Sequence, residues 1–200
     1  GSGKTTVLRL IAGFNKHNSG QLLIDGQDVS AQAPWERNIG MVFQSYALWP
    51  HLSVWDNVGF GLVERKVEKS VLKQKVGAAL ELVGLSAYGE RRPNQLSGGQ
   101  QQRLTIARAL SHRPKILCLD EFSIAVDPVT TMKIEDVLVD LKQTITIVLV
   151  TNLVQQAHRL ADRVAFLNRG SLVETATVDA LFSEHPASPL TFDYVRGGFG

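Results

Sequence analysis

Short apolar runs alternate along the chain with longer segments in which apolar residues recur every three or four positions. Several of the short runs are apolar on both faces, which is typical of parallel strands covered by helices. The longer segments, such as KSVLKQKVGAALELVGL and GGQQQRLTIARALSH, have the periodicity of amphipathic helices. The pattern predicts an α/β fold with a mostly parallel sheet, whose strands we place in QLLIDG, NIGMVFQ, KILCLDE, TITIVLV and RVAFLNRG.

The predicted strands are not evenly spaced. Between MVFQ and KILCLDE the sequence has helical periodicity and no convincing strand. We therefore expect an α/β core formed by residues 1–45 and 112–200, with a helical subdomain at 46–111 inserted between its two parts. Residue 1 is Gly rather than Met and stands in the middle of a motif, so we expect an N-terminally truncated copy whose core is incomplete at that end.

The composition limits the cellular compartments and the binding partners that we expect for this chain. The 21 Lys and Arg residues nearly balance 19 Asp and Glu residues, and no segment concentrates like charges, so nucleic-acid capture is not expected. The single cysteine, Cys118, lies in an apolar run, which predicts a core residue in a reducing, cytoplasmic setting. The longest apolar runs are far shorter than the roughly 18 residues that a membrane-spanning helix needs.

The first residues, GSGKTT, form the closing half of the phosphate-loop pattern G-x-x-x-x-G-K-[ST]. In such a loop the backbone N–H groups and the following helix N-terminus bind phosphate, Lys4 reaches the β- and γ-oxygens, and the Thr5 hydroxyl ligates Mg²⁺. A glycine-rich turn capped by Thr is the alternative interpretation. The predicted nucleotide-binding residues are Gly1, Ser2, Gly3, Lys4, Thr5 and Thr6.

Two acidic residues end the strand ILCLDE. Ligands of open α/β sheets bind at the carboxyl ends of the strands, which is where Asp120 and Glu121 would lie. We expect Asp120 to hold Mg²⁺ through water and Glu121 to polarise an attacking water. A strand that simply ends in two solvated acids is the alternative, and it becomes much less favoured when both motifs occur in this order. Together they indicate a P-loop NTPase core.

The segment LSGGQQQRLTIARAL, shortly before ILCLDE and with MVFQ upstream, resembles the nucleotide-binding subunit of an ATP-binding cassette (ABC) transporter. The resemblance covers essentially all residues present. It implies an ATPase that uses Mg²⁺ and pairs head to tail with a second subunit, so that each ATP lies between the phosphate loop of one copy and the signature of the other. The signature residues would be Ser97, Gly98, Gly99 and Gln100. An ordinary helix N-cap at Ser97 is the alternative.

The same resemblance assigns further roles. Gln44 would contact Mg²⁺ or the attacking water, and Asp127 would lie in a loop that crosses the dimer interface. The partners would be transmembrane permease subunits and, indirectly, a solute-binding protein, at the cytoplasmic face of the inner membrane. The segment after Gln44 would receive a coupling helix of the permease, and for Trp49 and Trp55 a core position and a docking position are equally favoured.

Two departures from the family pattern bear on catalysis. In DEFSIAVDP, Phe122 replaces a Pro, Ile124 a Ser and Val126 a Leu, which affects the predicted communication between the two sites rather than nucleotide binding. After TITIVLV the family has Thr-His, whereas this chain has Asn152. An Asn amide donates a hydrogen bond but cannot carry a proton or a charge, so we expect a slowed ATPase.

The two halves of the chain resemble different transporters. The latter half resembles the ATPases of bacterial phosphate importers, whereas FQSYALWPHLSVWDNVGFGL resembles the sugar, polyamine or iron importer group. The chain ends soon after SLVETATVDALFSEHP, so the extra regulatory domain of sugar-importer ATPases is not expected. The longer likeness of the latter half favours phosphate.

Two other functions compete with an import ATPase. A catalytically weak module that binds ATP only to hold a dimer is compatible with Asn152. A soluble ABC ATPase of DNA repair or translation is disfavoured, because those proteins usually carry a coiled-coil insertion or two tandem cassettes.

Overall fold

The computed structural model describes residues 2–124, 126–184 and 186–196. A three-stranded parallel sheet in the order β3-β4-β5 lies at the centre, and two antiparallel hairpins, β1-β2 and β6-β7, lie beside it. The strands are β1 Leu23–Ile24, β2 Gln27–Asp28, β3 Ile39–Val42, β4 Ile116–Asp120, β5 Thr146–Val150, β6 Arg163–Asn168 and β7 Ser171–Thr177. The helices are α1 Lys4–Ala12, α2 Val54–Glu64, α3 Lys69–Leu82, α4 Gly98–Leu110, α5 Pro128–Leu141, α6 Val154–Leu160, α7 Val178–Leu181 and α8 Pro189–Val195.

The parallel sheet confirms the fold class predicted from the apolar runs. Strand β4 is central, with Leu119 opposite Val42 on one side and opposite Leu149 on the other. Four of its five residues are buried, since helices cover both faces of the sheet. Helix α1 packs against β3, β4 and β5, and α4 packs against β3 and α5.

Strand β1, in the predicted segment QLLIDG, has only two residues and pairs antiparallel with β2 outside the parallel sheet. Strand β6 is also a strand as predicted, but it does not join the parallel sheet either. It pairs antiparallel with β7, a strand that the apolar runs did not predict, through a turn at Arg169 and Gly170. Both turn residues have positive φ, which matches the right-handed twist of a two-residue hairpin. Strand β7 alternates apolar and polar residues around Glu174, so no continuous apolar run marks it in the sequence.

An apolar cleft of about 750 Å³ separates β5 from β6. Helix α1 contributes Val7, Leu8 and Ile11 to its lining, and both strands contribute aliphatic side chains. Within the described ranges, β5 is hydrogen-bonded to β4 and β6 to β7, so each strand has an unpaired edge on this cleft. The cleft opens at one end onto Lys4 and Asn152, two of the predicted site residues.

Helices α2, α3 and α4 pack on one another, as the periodicity of α3 and α4 predicts. Their buried residues, such as Val58, Leu80 and Leu104, form one continuous cluster with Val42 and Leu119 of the sheet. Because this cluster crosses the expected boundary, the packing does not separate a helical subdomain from the core. The division at 46–111 stays a prediction. Among the described residues, no helix combines the length and the apolar character that a bilayer crossing requires.

The segment between β3 and α2 is held by one buried amide. Asn57 is fully buried in α2, and its Nδ2 donates to the backbone oxygens of Trp49, Leu52 and Ser53 at 3.1, 3.2 and 2.9 Å. Its Oδ1 accepts the N–H of Trp49 at 3.0 Å. The oxygens of Trp49 and Ser53 also accept the backbone N–H groups of Leu52 and Asn57, so among the described residues the Asn57 side chain is the sole hydrogen-bond partner only of the Trp49 N–H and the Leu52 oxygen.

Both tryptophans of this region are half-buried. Trp55 packs against the main core cluster. Trp49 stacks on Phe60 with ring centroids 4.2 Å apart, and the guanidinium of Arg108 lies 4.9 Å from its ring centre. Arg108 also donates to the backbone oxygen of Ala47 at 2.6 Å. Each tryptophan is therefore partly a core residue and partly accessible at the surface.

We expect Asn57→Ala to lower the free energy of unfolding by about 2–4 kcal/mol, because it empties a fully buried side-chain position and removes four hydrogen bonds, two of them to the Trp49 N–H and the Leu52 oxygen. Urea unfolding followed by circular dichroism measures the change. Asn94→Ala is the matched control, since Asn94 is exposed in the one-turn helix Pro93–Gln95 and should shift stability by no more than about 0.5 kcal/mol. Equal effects of the two substitutions would contradict the assigned role of Asn57.

Candidate functional site

The phosphate-loop segment forms a turn that leads directly into α1. Gly3 is the N-cap of α1 and has φ 89°, a left-handed conformation that glycine adopts without strain. Lys4 Nζ donates to Ser2 Oγ at 2.8 Å, so the ammonium folds back over the loop. Gly1, the first of the predicted nucleotide-binding residues, lies outside the described residues. The exposed Thr6 follows in the first turn of α1.

The loop and the end of β4 meet in space. The Thr5 hydroxyl donates to Asp120 Oδ1 at 3.0 Å, although the two residues are 115 positions apart. Asp120 is 2% exposed, so it does not belong to a strand that ends in two solvated acids. Two hard oxygen donors, both predicted as Mg²⁺ ligands, are therefore adjacent.

Glu121 follows Asp120 and adopts φ 46°, a left-handed conformation that is uncommon for a residue with a side chain. Its N–H donates to the backbone oxygen of Val150 at 2.9 Å, which joins the ends of β4 and β5. Its carboxylate accepts from Gln44 Nε2 at 3.2 Å and from Asn152 Nδ2 at 2.5 Å. The three residues predicted as catalytic thus form one hydrogen-bonded cluster, which we call the carboxylate clasp.

Two contacts at this site involve residues that the sequence reasoning missed. The N–H of Gly170, in the turn between β6 and β7, donates to the backbone oxygen of Ser2 at 3.2 Å. The Tyr194 hydroxyl in α8 donates to the backbone oxygen of Asn152 at 3.1 Å. No local motif marks either residue; only the turn signal NRG could have pointed to Gly170.

The signature segment begins α4 with a reciprocal cap. Ser97 Oγ accepts the N–H of Gln100 at 3.3 Å, and Gln100 Oε1 accepts the N–H of Ser97 at 2.9 Å. The N-cap interpretation of Ser97 is therefore correct as far as it goes, and it leaves a role in binding open. Gly98, the first residue of α4, is half-buried.

The third residue of the signature has a separate packing reason to be glycine. A Cβ on Gly99 would lie 2.7 Å from Thr130 Cγ2 of α5, a distance that real contacts do not reach. Asp127 caps α5 by accepting the N–H of Thr130 at 2.9 Å, and this hydrogen bond holds the pKa of Asp127 below its ordinary value. The signature and the predicted dimer loop are thus neighbours on one surface.

The phosphate loop and the signature are carried by helices with different neighbours. Helix α1 lies on the parallel sheet, whereas α4 lies against α2, α3 and α5. Within the part of the chain that the structure describes, no hydrogen bond joins Ser97–Gln100 to Ser2–Thr6. One copy of the chain therefore presents the two glycine-rich helix ends separately.

The departures from the family pattern occupy contrasting positions. Phe122 is 2% exposed and belongs to the main core, whereas Ile124 is 62% exposed. Ser123, between them, accepts from Gln156 Nε2 at 3.1 Å, and the same amide donates to Glu135 Oε1 at 3.0 Å. This buried network fastens the loop after Glu121 to α5 and α6.

Two remaining expectations concern single side chains. His158 is exposed on α6 and packs edge-on against Phe182, with centroids 5.1 Å apart, as expected for a surface or packing histidine. Cys118 is fully buried in β4, and burial raises the pKa of its thiol to about 12. It is a core residue, as predicted, and not a nucleophile.

Several import ATP-binding proteins align with most of this chain. The chain is 42% identical over 197 residues to the spermidine/putrescine import ATP-binding protein of Acidothermus cellulolyticus, covering 98% of this chain and 51% of that protein. It is 42% identical over 197 residues to the sulfate/thiosulfate import ATP-binding protein of Thermosynechococcus vestitus, covering 98% and 58%. It is 45% identical over 184 residues to the Fe(3+) ions import ATP-binding protein of Photobacterium profundum, covering 91% and 52%. The chain spans about half the length of these relatives.

A solved structure has the same fold. The dimeric post-hydrolysis state of an ATP-binding cassette, bound to ADP and Pi, superposes with a TM-score of 0.78 at 31% identity, covering 88% of this chain and 81% of that one. Residues 1–123, more than half of the chain, match the family described as ABC transporter. The phosphate loop, Gln44, the signature cap and Glu121 all lie within the matched residues, and the chain is a member of the ABC transporter family.

Proposed function

We propose that this chain is the ATP-binding and ATP-hydrolysing part of an ABC importer. The observation that carries the proposal is the meeting of two distant motifs: Thr5 donates to Asp120, and Glu121, the next residue, is clasped by Gln44 and Asn152. A phosphate-binding helix start beside a buried carboxylate and a second, accessible carboxylate is the arrangement that nucleotide hydrolysis requires. Because the chain spans about half of its relatives, the activity of the whole protein is part of this proposal.

The phosphate loop would bind the β- and γ-phosphates of ATP through its backbone N–H groups and through Lys4. The residues present fit a Mg²⁺ ion, since this ion is usually held by one or two protein oxygens together with substrate phosphates. Thr5 and Asp120 would hold it, with Gln44 close by. The ion neutralises charge on the phosphate oxygens when bound. Within the described ranges no cluster of three His, Cys, Asp or Glu forms a larger metal site, which agrees with this assignment.

Glu121 is the proposed general base. Its carboxylate would accept a proton from the water that attacks the γ-phosphorus. Asn152 donates a hydrogen bond to Glu121 Oε1, and Gln44 donates one to Oε2. The two hydrogen bonds fix the orientation of the carboxylate and of its remaining lone pairs. Asn152 remains neutral and therefore acts by position rather than by charge. This supports a slowed ATPase rather than an inactive one.

The signature would complete a site in a second copy of the chain. Ser97 to Gln100 begin a helix of 13 residues, whose N-terminal N–H groups attract the γ-phosphate. Their separation from the phosphate loop of the same chain and the neighbouring position of Asp127 support a head-to-tail dimer with two shared sites. The dimeric state of the matched cassette agrees with this arrangement.

We assign recognition of the transported solute to other subunits. The relatives favour a different importer group from the phosphate importers that the latter half of the chain resembles. The relatives reported above are named for the import of polyamines, sulfate and iron, so they give the phosphate prediction no support. They favour the alternative, in which the chain belongs to the sugar, polyamine or iron importer group. We infer the same partners: permease subunits that dock near Trp49, and a cytoplasmic, peripheral position at the membrane.

A catalytically weak, ATP-gated dimer is the second candidate. It is favoured by Asn152 in place of His and by the exposed Ile124 in the dimer loop. In that case ATP would hold two copies together while turnover stayed negligible. Turnover measurements on Asn152 variants separate the two candidates.

For an import ATPase, we expect Asn152→Ala to lower kcat about tenfold, because Glu121 loses one positioning hydrogen bond. Asn152→His should change kcat by no more than about threefold, since both side chains can donate to the carboxylate. Steady-state phosphate release measures both. If wild type has no turnover and Asn152→His restores it, the ATP-gated dimer is the correct function.

The shared sites make a second prediction. Lys4→Ala and Gly98→Asp should each be inactive, because one removes the phosphate-binding cation and the other places a negative charge at the signature. An equal mixture should recover roughly a quarter of the wild-type rate, since half of the dimers carry one intact site. Co-expressed, differently tagged chains allow the mixed dimer to be purified and assayed. A mixed dimer as inactive as either parent would contradict shared sites.

A further inference from the structure

Helix α8 reaches the candidate site through one side chain. The Tyr194 hydroxyl donates to the backbone oxygen of Asn152 at 3.1 Å. The side chain of the same asparagine donates to Glu121 Oε1 at 2.5 Å. A path of two hydrogen bonds therefore joins the end of the described chain to the proposed general base.

Tyr194 is itself held in place by the β6-β7 hairpin. Its ring stacks on Phe166 of β6, with centroids 4.8 Å apart and an interplanar angle of 24°. The start of α8 is fastened to β7, because the Glu174 carboxylate accepts the N–H groups of Ala187 and Ser188, each at 3.1 Å. Contacts with both strands of the hairpin therefore fix the position of the Tyr194 hydroxyl.

We propose that Tyr194 is a positioning residue for ATP hydrolysis, which orients Asn152 towards Glu121 from the C-terminal helix. The inference rests on the proposed role of Glu121 as the general base. It assigns α8 and the β6-β7 hairpin to the catalytic unit, although neither carries a recognised motif.

The local backbone explains why Asn152 needs this support. Asn152 lies in a three-residue connection between β5 and α6, where the N–H of Leu153 donates to Thr151 Oγ1 at 3.0 Å. That bond orients the peptide after Asn152 only through its N–H. The tyrosine hydroxyl binds the oxygen of the same peptide and so fixes the plane from the other side. A fixed peptide plane limits the directions in which the Asn152 amide can point.

The chemistry of the hydroxyl suits a permanent donor. Burial raises the pKa of Tyr194 above its ordinary value, so the phenol stays protonated at neutral pH. The hydroxyl donates to the backbone oxygen of Asn152, the residue whose amide binds Glu121. The contact should therefore act on the chemical step and leave the binding of ATP unchanged.

The test is Tyr194→Phe, which keeps the ring and its stacking on Phe166 and removes only the hydroxyl. We expect kcat for ATP hydrolysis to fall about two- to tenfold, as for one lost hydrogen bond, while KM for ATP stays within about twofold. Tyr88→Phe is the matched control, because Tyr88 is also half-buried but lies in the helical region. It should change neither parameter.

A double variant separates positioning from a general loss of stability. In an Asn152→Ala background, Tyr194→Phe should have no further effect on kcat, because the amide that it orients is already absent. The same fractional loss in both backgrounds, or a KM rise equal to the fall in kcat, would overturn the proposal. Unchanged kcat in Tyr194→Phe, with a reduced kcat in Asn152→Ala, would overturn it while leaving the proposed function intact. If Asn152→Ala itself equals wild type, the proposed function fails at that residue.

Discussion

The hydrogen bond between the Glu121 N–H and the Val150 oxygen is the constraint on which the candidate site depends. It closes the ends of β4 and β5 against each other and holds Glu121 at φ 46°. A left-handed backbone costs a residue with a side chain about 1–2 kcal/mol, so the surrounding structure must supply it. The result is that the carboxylate turns away from the buried Asp120 and into the space between Gln44 and Asn152.

This geometry divides the two adjacent acids between two tasks. Asp120 is buried and accepts a hydrogen bond from the Thr5 hydroxyl, which supports its proposed role as a Mg²⁺ ligand beside the phosphate loop. Glu121 is only half-buried and is oriented by two amides, so it can meet a water. The buried network of Ser123, Gln156 and Glu135 then fastens the following loop, which leads to Asp127 and the surface shared with the signature. One strand end thus connects the chemistry to the proposed dimer interface.

Sequence reasoning found the elements whose signals are local. The apolar run of β4 and its acidic end, the periodicity of α3 and α4, and the Ser97 cap were all readable, because each depends on residues within a few positions. The pairing of β6 with β7 was not readable from apolar runs, since Glu174 and its neighbours alternate. The Tyr194 contact with Asn152 joins residues 42 positions apart in the chain. It depends on the packing of Tyr194 in α8 against Phe166 in β6, which no local pattern predicts. The cargo was predicted from the likeness of the latter half, and the relatives, which are named for polyamine, sulfate and iron import, do not support phosphate.

Glu121 is the proposed general base, whereas ATP binding is assigned to the phosphate loop together with the signature of a second copy. The most direct measurement compares wild type with Glu121→Gln, for both ATP binding and single-turnover hydrolysis. We expect Glu121→Gln to bind ATP within about threefold of wild type and to hydrolyse it at least about 10²-fold more slowly, the range of a lost acid/base group. Equal hydrolysis rates in the two proteins would contradict it.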